Sequence, residues 1–225
     1  MKFVVFDTED TGVGRKDEVI QIGGILLDEK LNMLRPFNEY FLSSVPVHKD
    51  AAAVTGLGSK QSQLLGRDRY FEDFYWENQD LFNEDDITWC AYNASYDIRM
   101  INQTLQNNGI APYNFGTQTT NLFEAASGRH YFDVMIACKN GLGLKYFPKL
   151  AACEAHTKYT SSALAEMYSK IMKIIDSLNP SYDGVPFSEY VASVMNVRNG
   201  SLFHDALYDA MVTWLLMYQN RKWCL

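Results

Sequence analysis

The sequence predicts an α/β protein in which helices pack against a mixed β-sheet. Three observations lead to this prediction. The beginning of the chain contains three strand-like segments joined by short turns, which is typical of an antiparallel start to a sheet. The middle alternates strand-like and helix-like segments. The end contains amphipathic segments whose apolar residues recur three or four positions apart, as on one face of a helix.

The predicted strands are short, apolar and rich in β-branched or aromatic residues. Residues 2–7, 19–27 and 36–43 form the first three. In the second strand, Gly23–Gly24 marks a bulge or a close packing contact. Further strands are predicted at residues 87–92 and in the segment 131–138, which passes from strand to helix.

The predicted helices follow the spacing of their apolar residues and the turn signals at their ends. The aromatic stripe at residues 69–83 is more typical of core packing than of a surface for base stacking. The predicted helices cover residues 47–58, 69–83, 95–108, 160–178, 186–197 and 205–221.

Composition restricts the class of protein. With 225 residues, of which 47% are hydrophobic and 21% charged, we expect one globular domain over residues 1–225. No apolar run approaches the roughly 18 residues of a membrane span, and the stretch at residues 3–6 is too short for a signal-peptide core. We therefore expect a soluble, cytoplasmic protein that is not secreted and binds no membrane. The four cysteines form no C-x-x-C pair, which favours buried reduced thiols over zinc or disulfides.

The net charge of −7 and the pI near 5.1 argue against a general surface for polyanions. They do not exclude a nuclease, because a site built of carboxylates is acidic until cations fill it. A local basic patch is also enough to bind a short single strand of nucleic acid.

The first chemical signal is the segment FDTED at residues 6–10. Side chains on a strand alternate between its faces, so Asp7 and Glu9 point to the same side. Burying unpaired carboxylates is costly. The two residues therefore either face water or hold a cation.

The second signal is Asp97, in the first turn of the helix that follows the fourth strand. The helix dipole alone favours an acidic residue there. Asn93 or Ser95 is the expected cap of this helix.

The third signal lies at the start of the last helix, in the segment HDALYDA at residues 204–210. Asp205 is the expected helix cap, His204 lies just outside the helix and Asp209 lies in its first full turn. Taken alone, a histidine at such a position is more often a solvated loop residue than a base.

Together, the order and spacing of these segments resemble the three exonuclease motifs of the DnaQ-like family. They are F-D-T-E-x-T-G at residues 6–12, N-x-x-x-D at 93–97 and H-x-x-x-x-D at 204–209. The last motif marks the variant that carries a catalytic histidine, in a family named for its Asp-Glu-Asp-Asp carboxylates. The resemblance runs from about residue 3 to about residue 217. It implies a ribonuclease H-like fold with a mixed five-stranded sheet flanked by helices.

The chain departs from the family at Thr55 and Tyr92, where many members have histidine, and at Val134, where threonine is usual. These positions concern substrate contacts or packing. The four acidic residues and the histidine of the three motifs are intact. The stretch before the third motif is long for a minimal member, so residues 157–199 are predicted to be a helical insert.

The resemblance implies a 3′→5′ exonuclease with a two-metal mechanism, in which two Mg²⁺ ions bind and Mn²⁺ can substitute. By similarity, Asp7 would bridge both cations. Glu9 and Asp209 would hold the first cation and Asp97 the second. His204 would be the general base, for which it must be neutral near pH 7, as an unperturbed imidazole largely is. If His204 is only a loop residue, the base is to be sought at Tyr208, since relatives without the histidine use a tyrosine in this motif.

The expected substrate is single-stranded DNA or RNA with a free 3′ end, released as nucleoside monophosphates. By similarity, Thr11 and Gly12 contact the terminal nucleotide, Leu57 packs on the terminal base and Tyr96 borders the same pocket. Stacking on a side chain tolerates any base sequence. Candidate phosphate contacts are Lys139, Lys145, Lys149, Arg198 and Arg67.

Two alternatives belong to other classes. One is a non-catalytic nucleic-acid-binding or scaffold protein that kept the exonuclease fold; the presence of all five catalytic residue types argues against it. The other is a ribonuclease H-like endonuclease, against which the terminal H-x-x-x-x-D argues. The choice between DNA and RNA, the pathway, and any action with a separate polymerase or as a homodimer stay open.

Overall fold

A six-stranded mixed β-sheet runs through the centre of the protein. The computed structural model describes residues 1–123, 128–178, 184–195 and 202–225. The strands are β1 (Lys2–Asp10), β2 (Val19–Leu27), β3 (Met33–Tyr40), β4 (Ile87–Ala91), β5 (Thr117–Thr119) and β6 (His130–Asp133). Their order across the sheet is β3-β2-β1-β4-β6-β5. The pairs β1–β2 and β2–β3 are antiparallel, whereas β4, β6 and β5 continue from β1 in parallel.

Helices cover both faces of this sheet. They are α1 (Lys49–Thr55), α2 (Ser59–Gly66), α3 (Phe71–Glu77), α4 (Gln79–Phe82), α5 (Ala94–Asn107), α6 (Val134–Gly141), α7 (Leu150–Cys153), α8 (Ser161–Leu178), α9 (Phe187–Val194) and α10 (Ala206–Gln219). Two 3₁₀ turns lie at Glu154–Thr157 and Arg221–Cys224. In the described parts of the chain, no helix is both long and apolar enough to span a membrane.

The predicted fold class, a mixed sheet flanked by helices, is confirmed, but the strand count is corrected from five to six. The additional strand, β5, has only three residues, none of them apolar. Its sequence carries no alternation that would reveal a strand, and it exists because it pairs with β6.

The helix predicted over residues 69–83 is interrupted. Asn78 has φ −107° and ψ 38°, which separates α3 from α4, and its side-chain amide donates to the Phe74 carbonyl at 3.0 Å. The aromatic stripe itself lies in the core as expected, since Phe71, Phe74 and Phe82 are almost completely buried.

Alternation along β1 divides the core into two clusters. Phe3 and Val5 face α10, α6 and α8, whereas Val4 and Phe6 face the aromatic residues of α3 and α4 and the aliphatic residues of α5. This alternation is the pattern that a strand buried on both faces requires. The four cysteines, Cys90, Cys138, Cys153 and Cys224, are free and buried, as the sequence predicted.

The segment predicted as an insert contains α8 and α9. The helix predicted over 160–178 is present as α8, which packs against β3, α9 and α10. The helix predicted over 186–197 is present as α9, and residues 196–197 lie outside the described residues, as do 179–183. That residues 157–199 are an insert in one domain stays a prediction.

Candidate active site

A cavity of about 840 Å³ opens at the carboxyl ends of the parallel strands β1 and β4. This edge is where open α/β sheets generally bind their ligands. The cavity is lined by the end of β1 and the start of α5 on one part of its wall. The rest of the lining comes from α1 and the residue before it, the turn leading into α7, and the residues around the start of α10. All five of the predicted catalytic residues line it: Asp7, Glu9, Asp97, His204 and Asp209.

Asp7 and Glu9 reach the cavity from the same face of β1. In the register with β2, Asp7 lies opposite Gly23 and Glu9 opposite Gln21. Asp7 is partly exposed, whereas Glu9 is buried. Burial, together with the charges of Asp97, Asp209 and Glu9, raises the pKa of Asp7 well above its usual value.

Asp97 is delivered by the N-terminus of α5. The chain turns sharply from β4 into this helix through Asn93, whose φ of 70° is left-handed. Asn93 occupies the cap position without a side-chain capping bond, so the predicted cap interaction is absent there. Both the amide and the hydroxyl of Thr8 donate to Asp97 Oδ1 at 2.9 Å. Burial raises the pKa of Asp97 to about 7, although the Thr8 hydrogen bonds act in the opposite direction.

The third motif reaches the first because Gly23 has no side chain. A Cβ at Gly23 would lie 2.1 Å from the backbone nitrogen of Leu207, so only glycine allows α10 to approach β2 this closely. The close-packing explanation of Gly23 is therefore confirmed. Because Gly23 is paired with Asp7, the same contact brings the start of α10 beside the β1 carboxylates.

Glu9, His204 and Asp209 form a compact cluster. Each offers a ligand atom, and these three atoms lie within 4.8 Å of one another. His204 precedes the helix with a left-handed φ of 64°, and its backbone amide donates to Asp209 Oδ2 at 3.2 Å. The exposed imidazole is thus held next to two buried carboxylates.

The neighbours of His204 have structural roles. Asp205 caps α10 as predicted, by accepting from the Tyr208 amide at 3.2 Å, and it also accepts from the Tyr168 hydroxyl at 3.1 Å. Tyr208 does not line the cavity, and its hydroxyl donates to Glu154 Oε2 at 3.4 Å. Tyr208 is therefore poorly placed as an alternative base.

Most of the chain matches a known protein family. A family model described as "Exonuclease" (RNase_T) matches residues 4–155, which is more than half of the chain. The chain belongs to this exonuclease family. The match includes Asp7, Glu9 and Asp97 and ends before His204 and Asp209, which only the fold brings to the same cavity. No protein with a curated description matches the chain in sequence.

Solved structures of exonuclease I have a similar fold. A crystal structure of E. coli exonuclease I in complex with a dA16 oligonucleotide is 16% identical with a TM-score of 0.61. Exonuclease I from Methylocaldum szegediense is 19% identical with a TM-score of 0.59. The similarity covers 98% of this chain but only 41% and 40% of those two chains. At this identity, the likeness shows a shared ribonuclease H-like fold.

Of the four substrate-binding positions predicted from the sequence, two line the cavity and two do not. Gly12 and Tyr96 line it. Thr11 is fully buried: its hydroxyl donates to Asp17 Oδ1 at 2.8 Å, which fixes the β1–β2 turn. Leu57 is also fully buried in the core, so the prediction that it packs on a base is corrected. The exposed Val54 of α1, directly before Thr55 and Gly56, lines the cavity instead.

Sequence reasoning missed Asp10, the third acidic residue of FDTED. By strict alternation it belongs to the opposite face from Asp7, but a register shift at Glu9–Asp10 bends the strand end, and Asp10 lines the cavity. Its carboxyl is 5% exposed, interacts with the Tyr96 hydroxyl, and has one oxygen, Oδ1, without a hydrogen-bond partner among the described residues. Burial raises the pKa of Asp10 well above its usual value.

His48 is a second residue that the sequence did not single out. It precedes α1, lines the cavity, and has Nε2 3.3 Å from Asp17 Oδ1. A Cβ at Gly12 would lie 2.9 Å from the His48 ring and 2.8 Å from the Asp17 carboxylate. Gly12 is therefore required for the close approach of the β1–β2 turn to His48.

The candidate phosphate contacts divide by position. Lys149 lines the cavity, and Lys139 and Lys145 lie on the segment leading to it. Arg67 is not among the lining residues, and its guanidinium lies over the ring of Tyr190, 5.3 Å from the ring centre. Arg198 lies outside the described residues.

The donor set fits divalent cations that prefer oxygen ligands. Carboxylates from β1, α5 and α10 converge at one cavity, and the raised pKa of Asp7 follows from their proximity and burial. Such crowding is unfavourable without positive charge, and hard cations such as Mg²⁺ are bound by carboxylate oxygens.

Proposed function

We propose that the protein is a metal-dependent 3′→5′ exonuclease that hydrolyses single-stranded DNA or RNA and releases nucleoside monophosphates. The observation that carries this proposal is the convergence of Asp7, Glu9, Asp97, Asp209 and His204 on one cavity, from three segments far apart in the chain. Membership of the exonuclease family supports the reaction class. The proposal includes one exonuclease domain over residues 1–225, with residues 157–199 as a helical insert.

In this proposal the carboxylates hold two divalent cations, Mg²⁺ or Mn²⁺. Asp7 would contribute to holding both cations, Glu9 and Asp209 would hold the first, and Asp97 would hold the second. When bound, the cations supply positive charge to the attacking and leaving oxygens of the phosphodiester. Thr8 supports this role of Asp97, because its two hydrogen bonds to Oδ1 leave the other carboxylate oxygen to face a ligand.

His204 acts as the general base and accepts the proton of the attacking water at a ring nitrogen. Its exposed side chain and its position next to Glu9 and Asp209 support this assignment. The hydrogen bond from the His204 backbone amide to Asp209 Oδ2 positions the main chain at His204 beside that carboxylate. A positioned base of this kind contributes typically 10²–10⁴-fold to a rate.

The terminal nucleotide is proposed to lie between α1 and the start of α5. Val54 offers an exposed apolar surface for the base, and Gly12 allows close approach of the backbone. Tyr96 and Asp10 together present a hydroxyl and a carboxyl at the same wall. Polar groups of this kind suit a sugar hydroxyl.

The experiment is digestion of 5′-labelled DNA and RNA oligonucleotides with Mg²⁺ and with EDTA. We expect a ladder that shortens from the 3′ end, monophosphate products, and slower digestion when the 3′ hydroxyl is blocked. Cuts in a circular single strand would instead favour the endonuclease alternative. Binding without any cleavage in Mg²⁺ or Mn²⁺ would favour the non-catalytic alternative. A separate polymerase or a homodimer stays a prediction.

A further inference from the structure

The segment from residue 139 to residue 149, KNGLGLKYFPK, has an unusual composition for this acidic protein. It contains three lysines and no acidic residue, whereas the whole chain has a net charge of −7. It also exposes large apolar side chains: Tyr146 is 84% exposed and Phe147 is 55% exposed. We call residues 142–149 the rim loop, because its end lines the catalytic cavity through Phe147, Pro148 and Lys149.

Both ends of the rim loop are fixed. At its start, the Leu144 amide donates to the Lys139 carbonyl at 2.9 Å, which continues the C-terminus of α6. At its end, the Tyr92 hydroxyl donates to the Pro148 carbonyl at 2.8 Å. Tyr92 directly follows β4 and itself lines the cavity. The loop is therefore held against the cavity by Tyr92. Many members of the family have histidine at this position.

The middle of the loop faces outward. Within the described residues, Tyr146 makes no hydrogen bond and no contact with another ring. Neither the two lysines of the loop, Lys145 and Lys149, nor the neighbouring Lys139 of α6 forms a salt bridge in this part of the chain. Lys139 Nζ lies 4.2 Å from the centre of the Phe147 ring. Exposed aromatic rings beside cationic side chains are typical of a surface that binds a ligand or another macromolecule.

We propose that the rim loop binds the single strand upstream of the nucleotide being removed, with bases stacked on Tyr146 and Phe147 and phosphates beside Lys145 and Lys149. Two observations select this occupant. The lysines complement a polyanion, and the surface is continuous with the cavity that holds the cleaved end. Aromatic stacking requires unpaired bases but no particular base, which suits digestion of a single strand of any sequence.

This inference rests on the proposed function, and the strand length separates the two. A dinucleotide reaches only the cavity, whereas a 12-nucleotide strand also reaches Lys145 and Tyr146 of the rim loop, which lie outside the cavity lining. Binding is measured by fluorescence anisotropy with 5′-labelled strands in EDTA, and hydrolysis of both lengths is measured with Mg²⁺. We expect the wild-type protein to bind the 12-mer more tightly than the dinucleotide.

Tyr146→Ala is expected to weaken binding of the 12-mer about 5- to 100-fold, the range for loss of one base–aromatic stack. Hydrolysis of the dinucleotide should change by less than about twofold. Tyr146→Phe keeps the ring and should restore binding. Trp76→Ala is the matched control, since Trp76 is 58% exposed on α3 and lies outside the cavity lining.

Lys145→Ala tests the phosphate contact through salt dependence. For a single strand, loss of one contact should lower the slope of log Kd against log salt concentration by about 0.7. Lys30→Ala, in the exposed turn between β2 and β3, is the control and should leave the slope unchanged.

The outcomes are distinct. If the dinucleotide is hydrolysed but Tyr146→Ala and Lys145→Ala bind the 12-mer as the wild type does, the rim loop does not carry the strand and the inference is overturned. A protein partner would then be the better occupant of this surface. If nothing is hydrolysed but 12-mer binding still depends on Tyr146 and Lys145, the inference holds and the proposed catalytic function fails.

Discussion

The floor of the cavity and the rim loop are opposite in their physical chemistry. The floor consists of carboxylates that are mostly buried and raise one another's pKa values. The rim loop carries lysines and aromatic rings that are mostly in contact with solvent. The difference shows that positioning charge for chemistry costs stability, because charged groups must be desolvated and crowded. A binding surface carries little such cost. Substitutions in the floor should therefore change activity and stability strongly, and those in the rim loop should change only recognition.

Removal of divalent cations should have the largest effect on the floor. We expect EDTA to abolish cleavage, and Mg²⁺ or Mn²⁺ to restore it, because the proposed reaction needs bound cations to stabilise the charge on the attacking and leaving oxygens. Cation binding to the folded protein should also raise its melting temperature. Full activity in EDTA would contradict the assignment of Asp7, Glu9, Asp97 and Asp209 as cation ligands.

Asp7→Asn should reduce turnover at saturating Mg²⁺ by at least about 10³-fold. A cation supplies several kcal/mol of charge stabilisation to the transition state, and each ~1.4 kcal/mol is tenfold in rate. The metal-free variant should melt no lower than the wild type, because it loses a crowded charge. Asp68→Asn, at an exposed position, is the control. If the Asp7→Asn protein is largely unfolded and its remaining folded fraction has normal activity, Asp7 is a structural residue.

His204→Ala should lower turnover by about 10²–10⁴-fold, the usual contribution of a general base. Strand binding should survive, because the exposed imidazole is proposed to act on water rather than to hold the strand. Tyr208→Phe is the comparison variant and should keep most of the activity, since its hydroxyl contacts Glu154 outside the cavity. The reverse ranking of these two variants would transfer the role of base to Tyr208.

The metal-free protein should lose stability as the pH rises from about 4 to about 7. Burial raises the pKa of Asp97 to about 7 in the folded protein, while the unfolded value is about 3.9. The folded state therefore binds this proton more tightly, and the resulting stability is fully present below the unfolded pKa and lost as the pH rises through the folded pKa. We expect a decrease on the order of 1–4 kcal/mol in the free energy of unfolding, measured with urea in EDTA. Asp97→Asn should flatten the profile; an unchanged slope would exclude Asp97 as its source.

Tyr92→Phe should have the smallest effect and connects the two regions. Loss of the bond to the Pro148 carbonyl should cost about 1 kcal/mol in the free energy of unfolding. Cleavage of long strands should fall about two- to fivefold, while dinucleotide hydrolysis stays the same. A loss that is equal for both substrates would mean that Tyr92 supports the floor rather than the rim loop.

The sequence by itself determined much of the floor. The spacing of Asp7 and Glu9 on a strand, and of Asp205 and Asp209 at the start of a helix, follows from local periodicity, which any chain obeys whatever its tertiary structure. The helix α8 and the buried aromatic stripe were predictable for the same reason. Resemblance to a known set of motifs then connected segments that local rules treat separately.

Only the tertiary structure decided which of these groups meet and which side chains remain accessible. Gly23 brings α10 within contact of β2, and the register shift at the end of β1 turns Asp10 into the cavity. Thr11 and Leu57 fit the motif equally well but are buried by packing, and Val54 takes the exposed position. The three-residue strand β5 and the hydrogen bond that fixes the rim loop to Tyr92 depend on partners distant in sequence. Such contacts are set by long-range packing, for which local propensity contains no signal.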